Sequence, residues 1–193
     1  MSPELILAST SPYRRALLEK LGLPFRCADP AVDETPLPHE PPVALVRRLA
    51  EAKARAVAQH YPEGLIIGGD QLAVCEGEIL GKPGNHARAV AQLRRIGGKA
   101  VVFQTALCLY QPARQRLWLE VVPYTVYFRP LDDALIERYL AHEPAYNCAG
   151  SFKSEGFGIT LCERLEGDDP NALVGLPLIR LTRMLEEAGV QVI

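Results

Sequence analysis

The segment Leu5 to Arg15, reading LILASTSPYRR, places Ser9, Thr10 and Ser11 in a turn between an apolar run and a helix start. A helix N-terminus offers unpaired backbone N–H groups and the positive end of the macrodipole, so it can seat an anion. Arg14 and Arg15 stand in that first turn, where cations oppose the dipole unless an anion lies between them. The arrangement suits phosphate; solvent-facing arginines beside a capped helix would read the same way and, taken alone, are the more frequent case. Asp70 follows the apolar run of LIIGGDQ, and α/β sheets place their ligands beyond the carboxyl ends of strands. A carboxylate there can hold a hard divalent cation or take a proton from water. Gly68 and Gly69 would let a substrate approach the backbone. On spacing alone, a turn-forming Asp in a hairpin is an equal reading.

Lys82 sits in the Gly/Pro-framed loop GKPGN and can present its ammonium to a phosphate, although the G-x-x-x-x-G-K-[ST] pattern is absent. Asp33 and Glu34 lie in a proline-rich stretch, where one of them can share a cation with Asp70 or both can be ordinary solvated loop. Lys53 is either a further phosphate ligand or an exposed helical lysine. Together, Arg14, Arg15, Lys53, Lys82 and the three carboxylates point to a metal-dependent site for a polyphosphate, with Mg²⁺ or Mn²⁺ suited to all-oxygen ligands.

The composition narrows the alternatives. In 193 residues, 21 Lys and Arg against 23 Asp and Glu leave a formal net charge of −2, so no global positive field exists to hold a nucleic-acid polymer or an anionic membrane. No apolar run approaches the roughly 18 residues that span a bilayer, and the N-terminus lacks a basic, cleavable leader pattern; a cytoplasmic protein is expected. Cys27, Cys75, Cys108, Cys148 and Cys162 are an odd number without a C-x-x-C pair, which predicts buried free thiols rather than a disulfide framework or structural zinc. His39, His60, His86 and His142 are too scattered for a paired-histidine metal motif.

The elements that must position these groups follow from local signals. Leu5 to Ala8 reads as a buried strand, then Ser11 as an N-cap with Pro12 at the first helical position, with Gly22 ending that helix. Phe25 to Ala28 reads as a second strand. A helix from Pro42 to about His60 carries Val43, Val46, Leu49, Ala50 and Val57 at helical spacing. Leu65 to Gly68 reads as a strand ending at Gly69 and Asp70, and Leu72 to Leu80 as a strand pair turned at Glu76 and Gly77. A helix from His86 to Ile96 closes on Gly97 and Gly98. Ala100 to Phe128, rich in β-branched and aromatic residues, reads as two long strands broken near Pro112. A helix from Asp132 to Ala141, a strand from Ile159 to Leu165 and a last helix from Leu176 to Ala188 complete the alternation. No linker interrupts it, so residues 1–193 are expected to form one α/β domain with a mixed sheet and flanking helices.

The stretches LILASTSPYRR, VDETP, LAEAKA, GGDQ, EILGKP, CAGSFKSEGFGI and GLP, in this order, resemble the Maf family of nucleoside triphosphate pyrophosphatases over essentially the whole chain. GDQ at Gly69 to Gln71 and SFKSEG at Ser151 to Gly156 are similar to its branch acting on 7-methyl-GTP. The resemblance implies an elongated, two-lobed fold like that of Maf and inosine triphosphatase proteins, with a central cleft and often a homodimer. The implied reaction is divalent-metal-dependent hydrolysis between the α- and β-phosphates, a house-cleaning activity on modified nucleotides. It also implies roles by motif: Asp70 as proton acceptor, Ser9, Arg14, Arg15, Lys53 and Lys82 at the phosphates, Glu34 with Asp70 at the metal, and Tyr13, Gln71, Lys153 and Glu155 at the base.

Where much of the family reads S-P-R-R, this chain has Tyr13. N7-methylation makes guanine a cation, and a cation favours the face of an electron-rich ring. Guanine also presents adjacent N–H donors that the Glu155 carboxylate can accept with both oxygens. The alternative is that Tyr13, Lys153 and Glu155 merely pack and pair along a wall. Two rival functions stand beside this one: the same chemistry on dTTP or UTP, and a nucleotide-binding regulator of cell division without turnover.

Overall fold

The computed structural model describes residues 3–193. Its strands form a mixed sheet in the order β2 (Phe25–Ala28), β1 (Leu5–Ala8), β3 (Leu65–Cys75), β5 (Ala100–Gln111), β6 (Arg116–Phe128), β7 (Cys162–Glu166), with β4 (Glu78–Leu80) paired to β3. Strand β1 (Leu5–Ala8) is buried along its whole length and pairs in parallel with β2 (Phe25–Ala28) and with β3 (Leu65–Cys75). Parallel neighbours require crossover connections. The helices α1 (Pro12–Glu19) and α2 (Pro42–Ala58) supply them.

The structure divides into two compact units. The first contains the described residues up to Gln71, together with Thr105–Val122 and Asp169–Ile193. Its apolar cluster is built on Leu5, Leu7, Leu65 and Ile67 of the parallel strands, against Leu18 of α1 and Leu181 of α6 (Leu178–Glu187). The second unit contains Leu72–Gln104 and Pro123–Asp168. Its α3 (His86–Ile96) and α4 (Asp133–His142) bury Leu93, Ile96, Ile136 and Tyr139, and Phe152 packs its ring against Phe103 and Phe128. The β4 strand (Glu78–Leu80) returns on β3 through Glu76 and Gly77, both at positive φ. The long strands β5 (Ala100–Gln111) and β6 (Arg116–Phe128) are separated by a 3₁₀ turn at Pro112–Arg114.

Local reading errs where tertiary pairing decides. The strand expected to end at Gly69 and Asp70 continues to Cys75, so Asp70 lies inside β3. Two glycines are a weak stop signal when the strand has neighbours to pair with. The strand expected over Ile159 to Leu165 begins as a 3₁₀ segment, Phe157–Leu161, and only Cys162–Glu166 forms β7. The last helix starts at Leu178 rather than Leu176, after a separate five-residue α5 (Pro170–Val174) capped by Asp169. Val43, assigned to the apolar face of α2, is 42% exposed because that helix turns Leu45, Val46, Leu49 and Lys53 inward. Among the thiols only Cys75 and Cys108 are buried; Cys27 is exposed, and Cys148 and Cys162 are half-buried.

Candidate active site on the parallel strands

The alternation of β3 sorts its residues onto two faces. Gly68 faces α2, and a Cβ there would come within 2.2 Å of the Ala50 carbonyl oxygen, so only glycine lets the helix backbone lie this close. Asp70, two residues on, points to the same side. There Lys53, one turn beyond Ala50 on α2, places its Nζ 2.7 Å from Asp70 Oδ1. The same Nζ lies 2.6 Å from Glu34 Oε1. Lys53 is thus a buried lysine and not the exposed helical one that its sequence position also allowed. Burial raises the Asp70 pKa above its ordinary value, while Lys53 and Arg14 pull it down and Glu34 adds to the rise. The net direction is upward, towards a carboxyl that accepts a proton more readily than a solvated one.

Gly69 and Gln71 take the other face. A Cβ on Gly69 would lie 3.6 Å from Arg14 Nε. Arg14 Nε donates to the Gly175 carbonyl at 2.9 Å, and Nη1 reaches Ser9 Oγ at 3.5 Å. Burial lowers the Arg14 pKa, with Asp70 and Glu34 opposing it. Ser9 Oγ also accepts from the Ser11 amide, while Ser11 Oγ caps α1 by accepting from the Arg14 amide. Gln71 Nε2 donates to Thr105 Oγ1 and to the Ala172 and Leu173 carbonyls. Thr105, itself buried, donates to the same Ala172 oxygen. Tyr13 is half-buried in the first turn of α1.

Ser9, Arg14, Lys53, Asp70 and Glu34 therefore gather on the first unit. Arg15 does not join them: it is exposed and pairs with Glu19 one turn along α1. Of the two acidic neighbours, Glu34 reaches Lys53, whereas Asp33 accepts from the Thr35 amide and hydroxyl. Among the described residues no three His, Cys, Asp or Glu side chains cluster as metal ligands; the carboxylates at Lys53 are two.

The second unit carries the remaining sequence candidates. Lys82 is exposed in the loop before α3. Lys153 pairs with Glu143 at 2.8 Å, and Glu155 is exposed and accepts from the Ser154 hydroxyl. Around Glu143 the chain folds closely: its carboxylate accepts from the Phe157 amide, and a Cβ on Gly156 would clash with it at 2.4 Å. Burial works to raise the Glu143 pKa, but Lys153 and the Phe157 amide hold it below the ordinary value.

Sequence reading missed Thr105, Asp169 and Glu143 as supports of these groups. Asp169 is buried and accepts from the Asn171 and Ile179 amides; its place before Pro170 is an N-cap signal that could have found it. Thr105 in a β-rich run and Glu143 after a helix carry no such local mark.

Comparison with known proteins places these motifs in a wider group. The family model described as Maf-like protein matches residues 4–188. A protein named 7-methyl-GTP pyrophosphatase from Colwellia psychrerythraea is 54% identical over 189 residues, covering 98% of this chain and 94% of its own. One of the same name from Nitrosococcus oceani is 55% identical over 191 residues, covering 99% of this chain and 96% of its own.

Proposed function

Because the chain belongs to the Maf family, we propose that it is a 7-methyl-GTP pyrophosphatase that opens the bond between the α- and β-phosphates. The observation that carries this reading is its identity, above one half and nearly end to end, to two proteins of that name. The geometry on the first unit supplies chemistry to match. Asp70 Oδ1 is held by Lys53, which leaves Oδ2 to take the proton of the attacking water. The Pα–O–Pβ bridge then breaks, and 7-methyl-GMP and pyrophosphate are released. Ser9, Arg14 and Lys53 contribute the hydroxyl and positive charge that phosphate oxygens need. The phosphate role of Lys82 rests on the family motif alone.

The donor set fits a hard divalent cation: Glu34 and Asp70 offer oxygen only and already share one positive partner. Mg²⁺ is commonly held by one or two carboxylates plus substrate phosphates. Bound there, Mg²⁺ or Mn²⁺ would neutralise charge on the phosphate oxygens. Tyr13 and Glu155 select the base in this proposal, by the ring's attraction for a methylated, cationic guanine and by the carboxylate's two acceptors. The activity would keep a modified nucleotide out of nucleic acid, in the cytoplasm, with a homodimer as the expected assembly.

The test is pyrophosphate release from 7-methyl-GTP, GTP, dTTP, UTP and CTP, with Mg²⁺, with Mn²⁺ and in excess chelator. The expected result is a kcat/KM highest for 7-methyl-GTP and no turnover in chelator. Equal or greater kcat/KM for UTP or dTTP would move the protein to the pyrimidine-directed reading. Nucleotide binding without pyrophosphate release would favour a regulator. Full activity in chelator would remove the metal.

A further inference from the structure

Glu34 belongs to a stretch, residues 29–41, that has neither helix nor strand and contains only a short turn at 38–39. Its side chain is 60% exposed, yet it meets the buried Lys53 at 2.6 Å. An exposed carboxylate on irregular chain keeps one position only if its backbone is held from elsewhere. Arg48 does this. Its Nε and Nη2 form a fork on Glu40 Oε1 and Oε2 at 2.7 and 2.8 Å, and Nη2 also donates to the Thr35 carbonyl at 3.1 Å. Glu40 in turn accepts from the Leu37 amide at 3.0 Å, and its own amide donates to the Leu37 carbonyl. Asp33 closes the other side by accepting from Thr35.

Exposed single ion pairs contribute little. This one differs in three respects: the fork is bidentate, the Glu40 side chain is only 8% exposed, and the guanidinium makes a third bond to the backbone next to Glu34. A planar fork of this kind fixes direction as well as distance, which a lysine cannot do. Arg48 and Lys53 both stand on α2, so one rigid element grips the stretch twice, at the Thr35 backbone and at the Glu34 carboxylate. His39, at φ 58°, takes the left-handed turn that brings Glu40 back towards Arg48.

We propose that the Arg48–Glu40 pair is a positioning device for the site: it fastens the Thr35–Glu40 turn to α2 and thereby keeps the Glu34 carboxylate on Lys53. This rests on the reading of Glu34 as a functional carboxylate given above. Neither Arg48 nor Glu40 touches substrate; both act through Glu34.

The experiment is a cycle on the full chain with Arg48→Met, Arg48→Lys, Glu34→Gln and the double variant Arg48→Met/Glu34→Gln. It reads kcat and KM for 7-methyl-GTP, the Mg²⁺ concentration at half-maximal rate, Tm, and amide hydrogen exchange. Arg48→Met should lower kcat about tenfold, a misplacement effect, with KM within about twofold. It should also raise the Mg²⁺ requirement and speed exchange at the Thr35 and Leu37 amides. Arg48→Lys should fall between it and the parent, and it carries the test if Arg48→Met does not fold.

In the Glu34→Gln background, Arg48→Met should have no further effect on kcat. Losses that multiply instead, or unchanged exchange at Thr35 and Leu37, would overturn the proposal. If Glu34→Gln keeps full activity, the functional reading of Glu34 fails. The exchange measurement then decides by itself: faster exchange upholds the fastening of the turn, and unchanged exchange refutes it.

Discussion

Lys53, Asp70 and Arg14 on the first unit and Lys82 and Glu155 on the second stand in opposite environments. On the first, Lys53 and Asp70 are nearly excluded from water, and Arg14 is tied to backbone 161 residues away. On the second, Lys82 and Glu155 are exposed, and Lys153 is held by Glu143 in a loop. Buried ionic groups lose solvation and must be matched by partners, so a substitution among them changes both stability and chemistry. Exposed groups carry no such penalty and can change recognition with little structural effect. On the proposed roles, Lys53 and Asp70 of the first unit are preorganised, while Lys82 and Glu155 of the second stay adaptable.

Asp70→Asn breaks this contrast most sharply. Turnover should fall by about 10²–10⁴-fold, the usual range for a lost general base, and the stability difference from the parent should depend on pH. The sign follows from linkage. A folded-state pKa raised by burial means that the ionised group is disfavoured in the fold, so its favourable contribution is present below the unfolded value and lost as pH rises through the folded one. The Tm of Asp70→Asn relative to the parent should therefore climb as pH rises above 3.8 and level off once Asp70 is ionised in the fold. Parallel rate and thermal-unfolding measurements across pH check both halves; a Tm gap independent of pH would refute the second.

Lys53→Met should lower stability outright. It leaves Asp70 and Glu34 facing each other without their shared cation, and breaking a buried ion pair typically costs about 3–5 kcal/mol. Scanning calorimetry should show a lower Tm, together with a lower rate. A Tm equal to the parent's would mean that the two carboxylates find other partners.

On the second unit, Lys82→Ala should leave Tm unchanged and raise KM for 7-methyl-GTP by about tenfold, equivalent to ~1.4 kcal/mol of binding. Steady-state kinetics decide it, and an unchanged KM would make Lys82 an ordinary loop lysine. The smallest effect on overall rate belongs to Glu155→Gln, which turns one acceptor into a donor. Here kcat should hold while the ratio of kcat/KM for 7-methyl-GTP over UTP falls, by an amount set by a mismatched polar pair of about 1–3 kcal/mol in the bound complex. A constant ratio would show that the base is read elsewhere.

The loop fastening adds an acid limit to the first unit. Arg48 hydrogen-bonds the Glu40 carboxylate and holds its pKa down to about 2, from 4.5. A depressed carboxylate stabilises the fold above its unfolded value, and that contribution fades as pH falls through the folded one. Exchange at Leu37 should accordingly speed up as pH drops from 4.5 towards 2, after correction for intrinsic rates.

What could be read locally was determined by the sequence itself. Ser11, Asn85 and Asp132 each cap a helix with the side chain expected of their residue type, and Glu76–Gly77 turns the hairpin, because caps and tight turns depend on a few consecutive residues. The family motifs likewise carried the candidate residues, of which Ser9, Arg14, Lys53, Lys82, Glu34, Asp70, Tyr13 and Glu155 enter the functional proposal. Tertiary structure alone decided which residues meet. It carried β3 through Gly69 and Asp70, since a strand continues where neighbours pair with it. It turned Lys53 from a surface lysine into the buried partner of Asp70 and Glu34, 17 and 19 positions away, because Gly68 lets α2 lie against the strand. It sent Arg14 inward to Gly175 and left its neighbour Arg15 on the surface with Glu19. Adjacent residues in a helix point about 100° apart, so their residue types cannot say which one faces the sheet; that is settled by what the rest of the chain packs against them.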